Sequence, residues 1–168
     1  MNANKNSPFF NTESPSELLK AAQTDIEDLC DIVESKRFDN QHRVGRICRY
    51  ATEAVEKMLK AYIVDFDPAV KVIGIHDLNY LYDIIYPMDN SFSVLKDKLK
   101  FLNNFSPNLR YSSPFNIDEH EVKRCLRELK DIYDFPLIKN LRDQINQQNN
   151  FILLPEDINT LFGKYMDR

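Results

Sequence analysis

Four residues of this 168-residue chain have the chemistry to meet a phosphate or a base: Arg110 and Tyr111, adjacent in the aperiodic stretch NNFSPNLRYSSPFNI, and Lys57 and His76. An arginine beside an aromatic ring can grip a phosphate while the ring stacks on a base. Equally, such an arginine can close its own loop on backbone carbonyls while the tyrosine packs on the core. The residues alone leave both readings open. Lys57 belongs to a charged helical stripe with Arg43, Arg46, Arg49 and Lys60. That stripe reads either as a phosphate groove or as a solvated face, on which Glu53 to Lys57 and Glu56 to Lys60 pair at four-residue spacing. Composition favours the solvated face. His76 and Asp77 are adjacent, so on a helix they point in different directions and do not form an Asp-oriented dyad. The plainer reading makes them a helix start, with Asp77 satisfying free N–H groups.

Other chemistries are excluded by what is missing. There is no glycine-rich phosphate loop, no His-Glu-x-x-His and no Gly-x-Ser-x-Gly, and the histidines at 42, 76 and 120 lack metal-ligand spacing, so neither a metal nor a cofactor is expected. Cys30, Cys48 and Cys125 are odd in number, widely separated and set in apolar helical positions, which reads as reduced core thiols in a cytoplasmic protein. Twenty-two Lys plus Arg against 26 Asp plus Glu give a net charge of −4, which argues against a duplex-binding protein coated in positive charge. MNANKNSPFF carries no long apolar run and 18 apolar residues never stand together, so no membrane insertion is expected.

The elements that must position these residues are helices. Only three glycines occur and no run of alternating β-branched residues reads as a strand. Ser14-Pro15-Ser16-Glu17 predicts a capped start for a first helix to about Glu34, its stripe being Leu18, Ala22, Ile26, Leu29 and Val33. A central helix from about Asn40 to Val64 places Val44, Ile47, Cys48, Ala51, Val55, Met58, Leu59 and Tyr62 on one apolar arc, opposite the charged stripe. A third helix opens at His76-Asp77 and ends at Tyr86 before Pro87, and a fourth runs from about Asn90 to Asn103. Asp118 and Glu121 form a second capping-box pattern for a helix reaching Phe135. Beyond Pro136, Leu137, Leu141 and Ile145 predict a short amphipathic segment interrupted at Gln147-Gln148-Asn149-Asn150, and Pro155 opens a last short helix.

The sequence resembles the HEPN domain family over about residues 40 to 135. The resemblance is carried by Tyr50-Ala51-Thr52-Glu53-Ala54-Val55-Glu56-Lys57-Met58-Leu59-Lys60-Ala61, then His76-Asp77-Leu78, then Arg110-Tyr111 in a loop before a helix opened by acidic residues. It implies a prokaryotic, homodimeric, antiparallel helical bundle that handles nucleotide or RNA, often beside a small nucleotidyltransferase. One branch of the family is ribonucleolytic and uses an Arg followed four to six residues later by His. Here the first histidine after Arg110 is His120, too far along, so the chain resembles the non-nucleolytic branch.

The expectation is therefore an all-α, antiparallel up-and-down bundle of four to five core helices. Residues 1–12 form a loose N-terminus, 13–135 the HEPN-like bundle, and 136–168 a short C-terminal helical extension on the same domain. Arg110, Tyr111, Lys57 and His76 are the candidate nucleotide or RNA contacts. The alternatives are a metal-independent ribonuclease built on Arg110 and His120, and a purely structural protein-interaction bundle.

Overall fold

The computed structural model describes residues 13–35, 41–106 and 117–149. Residues 1–12, the Arg110–Tyr111 pair and the helix expected at Pro155 lie outside the described residues.

Helix α1, Pro15–Glu34, starts where the capping box dictates. The Glu17 N–H donates to Ser14 Oγ at 3.2 Å and the Ser14 N–H to Glu17 Oε2 at 2.7 Å, so two free donors are satisfied reciprocally. Helix α2, Gln41–Phe66, is 26 residues long, or about 39 Å at 1.5 Å per residue. The six residues 35–40 that join the two helices reach at most about 20 Å. That is too short to carry the chain back along the 20 residues of α1, yet Lys57 in mid-α2 bonds Asp25 in mid-α1. The two helices therefore run antiparallel.

After a connection turned at Gly74, whose φ of 77° suits a residue without Cβ, comes α3, Leu78–Ile85. A 3-10 helix, Asn90–Leu95, runs directly into α4, Lys96–Asn103, so the expected fourth helix begins as a tighter coil. Helix α5, Glu119–Tyr133, opens with the Asp118–Glu121 capping box. Helix α6, Pro136–Asn149, continues through Gln147 and Gln148. The interruption expected there does not occur, because Ile138, Leu141 and Ile145 keep one face buried as the polar residues point outward. No strand occurs among the described residues.

Helix α2 touches α1, α3, α4, α5 and α6, and is the element around which the others close. Its apolar arc is covered except at Tyr62, which is partly buried: Val44, Ile47, Cys48, Ala51, Val55, Met58 and Leu59 are buried in one core with Ile26 of α1 and Cys125, Leu129 and Ile132 of α5. Each large side chain buried this way contributes about 1.5–3 kcal/mol. An aromatic chain of Tyr62, Phe92 and Phe135, with centroids 4.8 and 5.0 Å apart, fills the end of the bundle nearest the C-terminus of α2. Helix α6 lies against α1, α2 and α5, so it belongs to the bundle wall.

One expectation about α2 needs correction. Its second half is covered beyond the apolar arc, since Ala54, Ala61, Ile63 and Val64 are also buried. The charged stripe is consequently a solvated face only in part: Arg46 and Arg49 are exposed, whereas Glu56 is only 5% exposed and Lys60 only 7%.

Candidate functional site

The polar groups closest to chemistry gather where α2 faces the start of α3. Glu56 and Lys60 are one turn apart on α2, and Lys60 Nζ donates to Glu56 Oε1 at 2.6 Å. An ionised carboxylate at this depth is costly unless its lone pairs are filled. Its remaining partner is His76, whose Nδ1 lies 3.2 Å from Oε1 and 3.3 Å from Oε2. The His76 side chain is 44% exposed, against 7% for that of Glu56. Glu56 thus holds the inner edge of an imidazole whose other nitrogen, Nε2, is on the far side of the ring. Among the described residues Nε2 makes no hydrogen bond.

The backbone beneath this ring is fixed from both sides. Before it, the Ile75 N–H donates to the Val72 carbonyl at 3.2 Å, closing the turn at Gly74. After it, Asp77 caps α3, with Oδ1 accepting from the Asn79 and Tyr80 N–H groups at 2.8 and 3.2 Å. His76 therefore precedes the cap and stands outside the helix it was expected to open. Asn103, buried at the end of α4, donates from Nδ2 to Asp77 Oδ1 at 3.2 Å and accepts the Leu78 N–H on Oδ1 at 2.8 Å. The Thr52 hydroxyl, from the next turn of α2, bridges the Cys48 carbonyl at 2.8 Å and the Leu102 carbonyl at 3.1 Å. The bond to Leu102 reaches a carbonyl in the last turn of α4, where a helix end leaves acceptors open, and the bond to Cys48 is a threonine's own back-bond within α2.

Lys57 lies on another side of α2. Its ammonium is engaged by Asp25, a carboxylate on the buried face of α1. Burial pushes the Asp25 carboxyl above its ordinary value of 3.8, and the Lys57 hydrogen bond and charge pull against that without reversing it. Arg49 bonds Glu53 at 2.7 Å, and Arg46 reaches the Tyr50 hydroxyl at 3.3 Å. Of the sequence candidates, then, Lys57 and His76 join two different ion-pair clusters. His120 lies exposed in the first turn of α5, and Arg110 and Tyr111 are outside the described residues.

Sequence reasoning missed Asp25, Glu56, Lys60, Thr52 and Asn103 as parts of this framework. For Asp25 and Glu56 the signal was present. Asp25 sits three residues after Ala22 and four before Leu29, a charge on the core stripe of α1. Glu56 adjoins Ile63 on the wheel of a helix whose second half is apolar nearly all round. For Asn103 the periodicity carried no signal.

The Cys125 thiol is buried away from any chemistry. Burial, and then contact with the Cys48 thiol, push Cys125 far above the ordinary thiol range, which disfavours the thiolate that reacts. Among the described residues no group of three or more His, Cys, Asp or Glu side chains is arranged to hold a metal ion, and no helix is long and apolar enough to cross a membrane.

This framework draws on α1 through α4, and one family profile takes in that region: the HEPN domain, over residues 15–141. The chain belongs to the HEPN domain family. The match takes in α1 and the start of α6, beyond the 40–135 where the resemblance is legible by eye. No curated protein and no solved structure gives a match to the chain. In this HEPN bundle the Ala-Val-Glu-Lys-Met-Leu-Lys-Ala segment of α2 and the His-Asp-Leu segment before α3 meet through the Glu56–His76 contact.

Proposed function

We propose that this HEPN domain is a nucleotide- or RNA-binding module of the non-nucleolytic kind, working as a homodimer beside a small nucleotidyltransferase in a prokaryotic cytoplasm. The observation that carries the reading is the His76 imidazole, half-exposed and held on its inner nitrogen by a buried carboxylate, in a family associated with nucleotide and RNA handling. A side chain held on one edge and open on the other is prepared to meet a ligand without paying again for its own ordering. Arg110 would grip phosphate and Tyr111 would stack on a base. Lys57 takes a secondary place, because its ammonium is already committed to Asp25.

The test is thermal unfolding of the nucleic-acid-free protein against nucleoside mono-, di- and triphosphates and a short RNA, with the RNA checked for integrity afterwards. A ligand confined to the folded state adds about 2.7 kcal/mol at 100 times its dissociation constant, a clear rise in melting temperature. The expected result is a rise with RNA left intact, diminished in Arg110→Ala and His76→Ala. No rise with any ligand contradicts the reading and favours a protein-interaction bundle; cut RNA with His120→Ala inactive favours the ribonuclease.

A further inference from the structure

The Glu56–His76 contact also fixes what kind of atom a ligand must bring. Glu56 accepts from Lys60 at 2.6 Å, so its carboxylate is ionised and has only lone pairs to offer. Lying 3.2 and 3.3 Å from both of its oxygens, Nδ1 must be the nitrogen that carries the proton. In a neutral imidazole the other nitrogen is then a bare acceptor. A phosphate oxygen has no hydrogen to offer such an atom. A ribose hydroxyl does, as does a base N–H, and of the two only the hydroxyl separates ribose from deoxyribose.

Building on the nucleotide- or RNA-binding reading above, we propose that His76 Nε2 accepts a hydrogen bond from a ribose 2′-hydroxyl, and that Glu56, with Lys60 behind it, is the positioning residue that sets the tautomer for this. The site thereby prefers ribonucleotides to their 2′-deoxy counterparts, while phosphate is gripped elsewhere. Carboxylate-oriented imidazoles of this form are the usual way a protein decides which ring nitrogen faces outward. The buried ion pair has a purpose on this account: Lys60 fills one oxygen of a carboxylate that would be costly to bury unpaired.

Glu56→Gln inverts the arrangement. Lys60 offers only donors and so takes the amide oxygen, which turns the amide NH2 toward Nδ1. Nδ1 must then accept, the proton moves to Nε2, and the outward nitrogen becomes a donor. Two measurements on the full chain test this. The first is the 15N NMR signature of the His76 ring at pH 8 in the ligand-free protein, which reports tautomer and charge. Protonated Nδ1 with bare Nε2 in the wild type, exchanged in Glu56→Gln, is expected; a proton on Nε2 in the wild type, in either a neutral or a doubly protonated ring, overturns the proposal.

The second is the affinity for a mixed-sequence RNA hexamer and the same hexamer in DNA, and for the corresponding ribo- and deoxyribonucleoside monophosphates. Loss of one such hydrogen bond corresponds to roughly a fivefold preference for the ribose form. That preference should vanish in His76→Ala, a half-exposed position that tolerates truncation; the Glu56→Gln variant is read by its tautomer alone, because a 2′-hydroxyl can also accept from an Nε2–H. A preference seen with the hexamer identifies a polymer as its source, and one seen with the monophosphates a free nucleotide. Equal binding of ribose and deoxyribose forms by the wild type overturns the proposal while leaving the binding reading intact. Binding of neither overturns both.

Discussion

Lys57 and Lys60 stand one turn apart on the same helix and meet carboxylates in different surroundings. Lys60 and Glu56 form a local pair at four-residue spacing, shut away from water; Lys57 reaches across to Asp25 on α1 with its own side chain 28% exposed. The local pairing is legible in the sequence, because i to i+4 spacing is a property of any helix. Its burial is not, since that depends on which neighbours cover the second half of α2. Asp25 has a consequence that titration can read. Its carboxyl is raised above 3.8 in the folded state by burial, so the folded chain holds this proton more tightly than the unfolded chain does. Its contribution to stability is therefore present below about pH 3.8 and is lost as pH rises through the folded value. Asp25→Asn should remove that loss, so that stability measured from pH 4 to pH 7 by denaturant unfolding falls less, or rises more, than in the wild type. An unchanged pH profile would show that the carboxyl titrates as if unfolded.

At the scale of elements, helix starts are the most legible feature of this chain. Ser14 with Glu17 and Asp118 with Glu121 write their caps into four residues each, and both capping boxes form as the spacing dictates. Asp77 likewise caps α3. What holds α3 against α4 is a different matter, because Asn103 makes both of its bonds to residues about 25 positions earlier, and no local pattern encodes a contact at that separation. Asn103→Ala should leave the Leu78 N–H buried without its acceptor and cost about 1–3 kcal/mol of stability. The same change should loosen the turn that carries His76. The check is equilibrium unfolding together with hydrogen exchange at Leu78; a loss within experimental error would mean that water replaces the amide without cost.

Across the whole molecule, the all-α class followed from the scarcity of glycine and the four-and-three spacing of apolar residues, and the bundle bears this out. The expected C-terminal extension on the same domain left the contacts of α6 open, because the spacing of Leu137, Leu141 and Ile145 does not say which helices they meet. Arg142 explains its seating: the guanidinium is buried, donates from Nη1 to the Tyr133 carbonyl at 2.7 Å and lies 3.5 Å from the Tyr133 ring centroid. One side chain thus ties α6 to the end of α5. Burial lowers the affinity of Arg142 for its proton, and the nearby Tyr133, Asp143 and Asp134 groups act in the opposite direction. Arg142→Met keeps the aliphatic stem but removes the bond to the Tyr133 carbonyl, and should cost about 1–3 kcal/mol. Amide exchange should rise in α6 and not in the middle of α2; uniform exchange throughout would show that the bundle opens only as a unit. The central claim is that this HEPN bundle binds nucleotide or RNA through an oriented histidine. Calorimetric titration of a short single-stranded RNA into the wild type and into His76→Ala tests it most directly. Saturable binding that weakens severalfold in the variant, with melting temperature unchanged, is the predicted result, and equal binding by both proteins, or none by either, would contradict it.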